Sequence, residues 1–185
     1  YPGFSHAQGP KVLLFEGFTR VYFATRPPST DGLHVSEIHF VDFSESFDRI
    51  LRVSNRPVVS PAGLGSFDEH GIFPLEVARI NGEIYGFSGG WSRRKSVSID
   101  MAIGRLVSPN DGLSFVRDGD GPVLASSVSE PFLIGDPCVI DAGGLMHMFY
   151  IHGTKWSTSE NGVPERTYLI GHRVSSDGVT WAKPN

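Results

Sequence analysis

The sequence predicts an all-β fold built from repeats of a four-stranded antiparallel meander. Three observations predict it. Short apolar runs are separated by glycine and proline turns, and no segment carries a sustained apolar period of 3.6 bounded by caps. A strand opened by a proline and closed by a glycine turn recurs at Pro10, Pro74 and Pro137, about 60 residues apart. Two further turns, Ser108 to Phe115 and Ser175 to Trp181, share a Ser, Asp-Gly and aromatic pattern at the same place in their repeats.

The elements follow in order. The first unit is expected to carry strands at residues 11–15, 20–26, 37–43 and 50–53, with a long loop over residues 27–32. The second carries them at 74–80, 83–88, 98–107 and 113–117, with a loop from Trp91 to Lys95. The third carries them at 137–141, 145–152, 167–174 and 179–182, with a loop from Thr154 to Arg166. Asn81-Gly82 and Gly143-Gly144 supply the positive φ that a two-residue hairpin turn demands. Consecutive meanders of this kind point to a β-propeller, whose blades bury their faces against one another around an axis. The blades are placed at about 8–60, 63–125 and 131–185. Three are fewer than a closed ring normally needs, so a further segment or a second chain is expected to complete it.

Composition narrows the partners. A net charge of -4 over 185 residues gives no concentrated basic field, which argues against nucleic acid. No run is long and apolar enough to span a membrane. The single cysteine, Cys138, permits no intrachain disulfide and lies in an apolar run, where it reads as a small buried hydrophobe. The chain begins at Tyr1, and localisation stays open. The seven histidines show no ligand spacing for a transition metal, and no cofactor motif is present; a calcium ion in the channel remains an alternative.

First strands of a propeller line its axis, so polar groups near their starts converge on one pocket. Asp136 stands at the start of such a strand, and Glu76 interrupts the apolar run of another. A carboxylate there is costly unless it is hydrogen-bonded or functional. Asp68, Glu69 and His70 sit in a Gly-Ser-rich loop that leads into the second unit, where a solvated loop is the competing reading. His6 and Gln8 precede the first strand and can bond sugar hydroxyls, or simply order the N-terminal segment. Arg26 ends an apolar strand, suited either to a structural ion pair or to gripping an acidic sugar or phosphate. Trp91 and Trp156 follow the second strands of their units, where an indole can stack on a sugar ring or pack between blades. Trp181 belongs to a turn motif and is assigned to the core.

The stretch from Ile134 to Tyr150 resembles the "I-D-P-x-V-x-D-x-x-G" strand and hairpin of five-bladed propeller glycosidases, glycoside hydrolase family 43 and its family 32-like relatives. The turns at Ser108 and Ser175 resemble their "S-x-D-G-x-T-W" hairpins. The segments His6 to Pro10, Tyr22 to Arg26, Gly65 to Gly71, Gly89 to Trp91 and Lys155-Trp156 look like an uncharacterised bacterial group of such propellers. The resemblance implies an aspartate base on blade one, an aspartate on blade three that tunes the acid, and a glutamate acid on blade four. Asp136 falls on the blade-three position, and Glu76 on a blade-two position assigned to sugar binding. On blade one Gln8-Gly9 stands where the base is expected, and blade four lies outside this sequence.

Glycoside cleavage takes two carboxyl groups, one to protonate the leaving oxygen and one to attack or to activate water. Glutamine does neither, so Asp68 and Glu69 become the candidates to replace the base. The expected function is therefore a carbohydrate-active, glycosidase-like propeller that hydrolyses or transfers a saccharide or sugar conjugate. The alternatives are a non-catalytic glycan-binding propeller that lost the blade-one base, and a structural or protein-binding propeller.

Overall fold

The computed structural model describes residues 3–29 and 32–184; Thr30 and Asp31, in the long loop expected after the second strand, lie outside the described residues. Eleven β-strands form among them and no α-helix. The first sheet is β1 (Ser5–Phe15), β2 (Phe18–Arg26), β3 (Glu37–Ser44) and β4 (Ile50–Val53), antiparallel and paired in chain order. The second is β5 (Gly71–Ile80), β6 (Glu83–Arg93), β7 (Ile99–Val107) and β8 (Val116–Arg117). The third holds β9 (Ile134–Ala142), β10 (Leu145–Thr158) and β11 (Pro164–Ser175), and its fourth strand is reduced to one bridge between Val174 and Ala182.

The hairpin turns take the geometry their residues allow. Asn81 and Gly82 have φ of 52° and 85°, and Gly143 and Gly144 have 63° and 79°. These are mirror-image turns, whose twist matches that of the strands they join.

Alternation along the strands of the second sheet explains the packing. Leu75, Val77, Ile84 and Leu106 point one way, into a core shared with Tyr22, Ile38, Phe40 and Val58 of the first sheet region. Ile80, Phe87 and Ile103 point the other way, into a core shared with Val139, Met148, Tyr150 and Trp181. The second sheet is thus buried on both faces. Each outer sheet keeps apolar side chains in water, among them Val12 and Leu14 on one side and Phe149 and Ile170 on the other. Cys138 is half-buried rather than buried, because Pro137 and Val139 take the core-facing positions on either side of it.

Two expected loops are strand. Trp91 lies inside β6, and Trp156 inside β10, because both hairpins run on past the point where alternation stops. The segment 154–166 closes only over residues 159–163. Much of the β10–β11 extension is exposed on both faces, which removes the apolar alternation a reader of the sequence relies on.

Turn motifs link neighbouring sheets. The phenol of Tyr22 donates to the Gly112 carbonyl at 2.8 Å, and Arg20 donates to the Asp111 carbonyl at 2.8 Å. A Cβ at Gly112 would stand 2.2 Å from the Tyr22 hydroxyl, so this Asp-Gly turn of one unit is fitted to the second strand of the previous one.

Candidate functional site

The first strands of the three sheets are neighbours: β1 packs against β5, and β5 against β9. Each contains a proline, which cannot donate to the ladder, and each ladder slips its register there. The slips flank Pro10 between Gln8 and Lys11, Pro74 between Ile72 and Leu75, and Pro137 opposite residues 149–151. Such irregularities re-aim side chains, and here they coincide with the polar groups of the junction.

Asp136 occupies a left-handed backbone position, φ 48°, directly before Pro137; Gly9, directly before Pro10, has φ 56°. Glycine reaches this region freely, whereas aspartate holds it only where its surroundings compensate. Burial pushes the Asp136 carboxyl above the usual range, against a partial downward pull from Lys11 and Arg166. Lys11 ties the strands together. Its Nζ stands 2.6 Å from Glu76 Oε2 and donates to the Pro137 carbonyl at 3.3 Å.

Beside this junction opens a pocket of about 300 Å³. Ala24, Phe73, Ile99 and Met101 form its apolar wall, and Trp91 adds an indole. Gln8, Thr25, Ser36 and Ser98 supply uncharged polar groups, while Arg26 and Arg166 supply charge. Met101 and Phe73 join it to the strands beneath. A Cβ at Gly135 would lie 2.6 Å from Met101 Cε, and one at Gly9 would lie 3.4 Å from the Phe73 ring. The Trp91 indole donates to Ser36 Oγ at 2.6 Å, and that hydroxyl donates to the Ile72 carbonyl at 2.9 Å, which fixes the ring.

Of the residues singled out in the sequence, Gln8, Arg26 and Trp91 therefore share one pocket, with Asp136 and Glu76 at the junction beside it. Trp156 lines an adjacent hollow of about 200 Å³ that shares Ile99, and the Arg166 guanidinium stands 5.8 Å from its ring centre. The others lie elsewhere. His6 is exposed and bonded to Ser5 Oγ at 2.8 Å. Asp68 is fully buried, and its Oδ2 accepts from Arg117 Nε at 3.0 Å and again from the same guanidinium. Glu69 accepts from the Gly65 amide at 2.9 Å, closing its own loop. His70 stacks on Trp91 at 5.9 Å between ring centres and accepts the Arg93 amide at 3.4 Å. Among the described residues no three His, Cys, Asp or Glu side chains cluster as metal ligands would.

Lys11, Arg166 and Ser36 were not singled out in the sequence. Lys11 had a signal, a lone charge one residue after the strand-opening proline, much as Glu76 is two residues after Pro74. Arg166 had none, since the segment around it reads as loop.

No family model matches the chain. Two curated relatives do: the uncharacterised proteins Rv1502 and MT1551 of Mycobacterium tuberculosis, each 30% identical over 182 residues. The alignment takes in 97% of this chain and 58% of each relative, so the chain spans little more than half of their length. Among solved structures, similarity is found to Zg3597, a family 117 glycoside hydrolase of Zobellia galactanivorans, with a TM-score of 0.68 at 10% identity, over 95% of this chain and 45% of that one. Sucrose-6-phosphate hydrolase from Lactobacillus gasseri matches with a TM-score of 0.68 at 14% identity, over 95% and 33%. A glycosyl hydrolase from Bacteroides ovatus matches with 0.64 at 13%, over 95% and 47%. The chain shares a fold with these glycoside hydrolases.

Proposed function

We propose that this chain belongs to a carbohydrate-active, glycosidase-like β-propeller that binds a saccharide or sugar conjugate where β1, β5 and β9 meet. The observation that carries the reading is Asp136: a partly buried carboxylate in a left-handed conformation, with raised pKa, beside a pocket that offers an indole, hydroxyls and an amide. Aromatic and polar groups of this kind are what sugar hydroxyls and ring faces require. The five-bladed ring is supported by the face-to-face order of the sheets and by the apolar side chains left on the two outer ones. The relatives' additional length leaves room for roughly two more units of the same size.

Within the chain each group has a task. Asp136 accepts a hydroxyl of the sugar next to the bond to be cleaved and sets the charge felt by the general acid. Glu76, neutralised by Lys11, takes a second hydroxyl. Gln8 donates and accepts at the pocket wall, in the place where the glycosidases have their base. The general acid comes from a further unit.

The test, made on the protein at the full length of its relatives so that the further unit is present, is hydrolysis of a panel of aryl glycosides and oligosaccharides by the wild type and by Asp136→Asn. Hydrolysis that falls about 100-fold or more in the variant, a far larger loss than that in sugar affinity, is the expected result. Sugar binding with no hydrolysis in either protein would favour the glycan-binding alternative, for which Gln8 is the supporting observation. No binding and no hydrolysis across the panel would end the reading.

A further inference from the structure

We propose that the pocket selects a sugar carrying an anionic oxygen group, a carboxylate or a phosphate, which Arg26 and Arg166 grip together. The proposal rests on the sugar-binding reading above and names the class of sugar.

The pocket lining holds two guanidinium groups and no carboxylate. Every other arginine that is at least partly buried has an acceptor: Arg20 meets Asp42, Arg105 meets Asp118, Arg117 meets Asp68 and Arg173 meets Glu130, while Arg93 donates to the His34 carbonyl. Arg26 breaks that rule. It is half-buried at the end of β2, and among the described residues its guanidinium has neither an ion pair nor a hydrogen bond. A cation drawn partly out of water without an acceptor is unfavourable unless a ligand supplies the acceptor.

Arg166 arrives from the other side of the pocket already oriented. Its Nη1 donates to Ser98 Oγ at 2.9 Å, its Nε donates to the Tyr168 hydroxyl, and its guanidinium lies 5.8 Å and 5.7 Å from the Trp156 and Tyr168 ring centres. None of these partners neutralises it. Asp136 feels its field, yet no direct ion pair joins the two among the described residues. A guanidinium held by hydroxyls and aromatic faces keeps donors free and loses little conformational freedom when an oxyanion docks. Trp91, Gln8 and Ser36 stand in the same pocket to receive the uncharged part of the sugar.

The experiment is calorimetric titration with the glucose, galactose and mannose series, each as the neutral hexose, the uronate and the 6-phosphate, with inorganic phosphate alone as a further arm. A charged member is expected to bind at least about ten-fold tighter than its neutral parent, since hydrogen bonds to charged groups are the strong ones. Arg26→Gln and Arg166→Gln should each remove about ten-fold of that advantage, a loss clearly larger than any change in neutral-hexose affinity. Arg26→Lys should restore part of it, because the charge returns without the two-pronged fork. The better of the uronate and phosphate arms identifies the source of the oxyanion. If one variant misfolds, the other still reports, and in the wild type the preference should shrink with added salt. Equal affinity for neutral and charged members would overturn the proposal while the sugar reading stands. Inorganic phosphate binding as tightly as the sugar phosphates, with neutral hexoses inert, would support the anion subsite and overturn the sugar reading. Failure of every arm would overturn both.

Discussion

The buried carboxylates Asp42, Asp68 and Glu130 are each closed by an arginine, whereas the junction of β1, β5 and β9 leaves its charges incompletely matched. Asp42 receives Nε and Nη2 of Arg20 at 2.6 and 2.8 Å, and the same guanidinium lies 4.1 Å from the Phe40 ring centre. Burial works to lower the Arg20 pKa, but Asp42 and Tyr22 together outweigh it and the guanidinium stays firmly charged. Glu130 is bonded by Tyr150 at 2.8 Å and by Arg173; burial tends to raise its carboxyl, and these two partners together hold it below the usual range. At the junction the balance runs the other way for Asp136, where burial wins over the pull of Lys11 and Arg166. On the proposed reading, the difference separates charge that holds sheets in place from charge kept ready for a ligand.

The largest expected effect breaks that comparison at its structural end. Asp42→Ala leaves the Arg20 guanidinium buried without its partner, and should cost about 3–5 kcal/mol in urea unfolding. Arg26→Gln removes a charge with no partner to strand, and should stay within about 0.5 kcal/mol of wild type. Comparable losses for the two would mean that Arg26 carries structural weight and that the two kinds of charge are one.

What the sequence made legible follows the same division. Strand order, the hairpin turns and the assignment of Trp181 to the core were readable because alternation, Asn-Gly or Gly-Gly turns and the repeated Asp-Gly motif are local signals. Gln8, Arg26 and Trp91 were readable as pocket groups because each is a polar or aromatic residue near the end of an apolar strand. The partners were not. Arg117 lies 49 residues from Asp68 and Arg166 lies 68 from Ser98, and nothing local announces such pairings. Asp68, offered as a replacement base, reads as solvated from its Gly-Ser neighbours, yet it is fully buried behind β6, where a Cβ on Gly90 would come within 2.6 Å of its own Cβ. The length of β10 and β11 was hidden for the opposite reason, since a hairpin with so much of both faces in water keeps no pattern to read.

A smaller effect sharpens the comparison at the functional end. Because burial raises the Asp136 pKa in the folded state, the folded chain holds that proton more tightly than the unfolded chain does. The contribution of this group to stability is therefore most favourable at acid pH. It declines as pH rises from the ordinary carboxylate range through the raised folded value. Asp136→Asn should accordingly be more stable than wild type at neutral pH, an advantage that fades on acidification, and asparagine tolerates the left-handed backbone. Urea midpoints for both proteins across pH give the measurement. A variant less stable than wild type at neutral pH would identify Asp136 as a hydrogen-bonded structural carboxylate.

The smallest effect uses the same residue type with the opposite sign. Asp177, in the turn before Trp181, receives the Thr180 and Val179 amides at 2.8 Å each and the Ser175 hydroxyl at 2.9 Å. These donors, the Thr180 amide foremost, pull its carboxyl down to about 2. A depressed folded pKa contributes stability that is fully present above the ordinary carboxylate value and is lost as pH falls through about 2. Asp177→Asn should lower stability slightly at neutral pH, and the two proteins should converge at the acid end, where wild type carries no charge there either. The pH slopes of Asp136→Asn and Asp177→Asn, each taken as the difference from wild type, should thus have opposite signs. If both variants sloped the same way, Asp136 would be held by its surroundings as a turn aspartate is, and the case for a carboxylate kept ready at the junction would lose its main support.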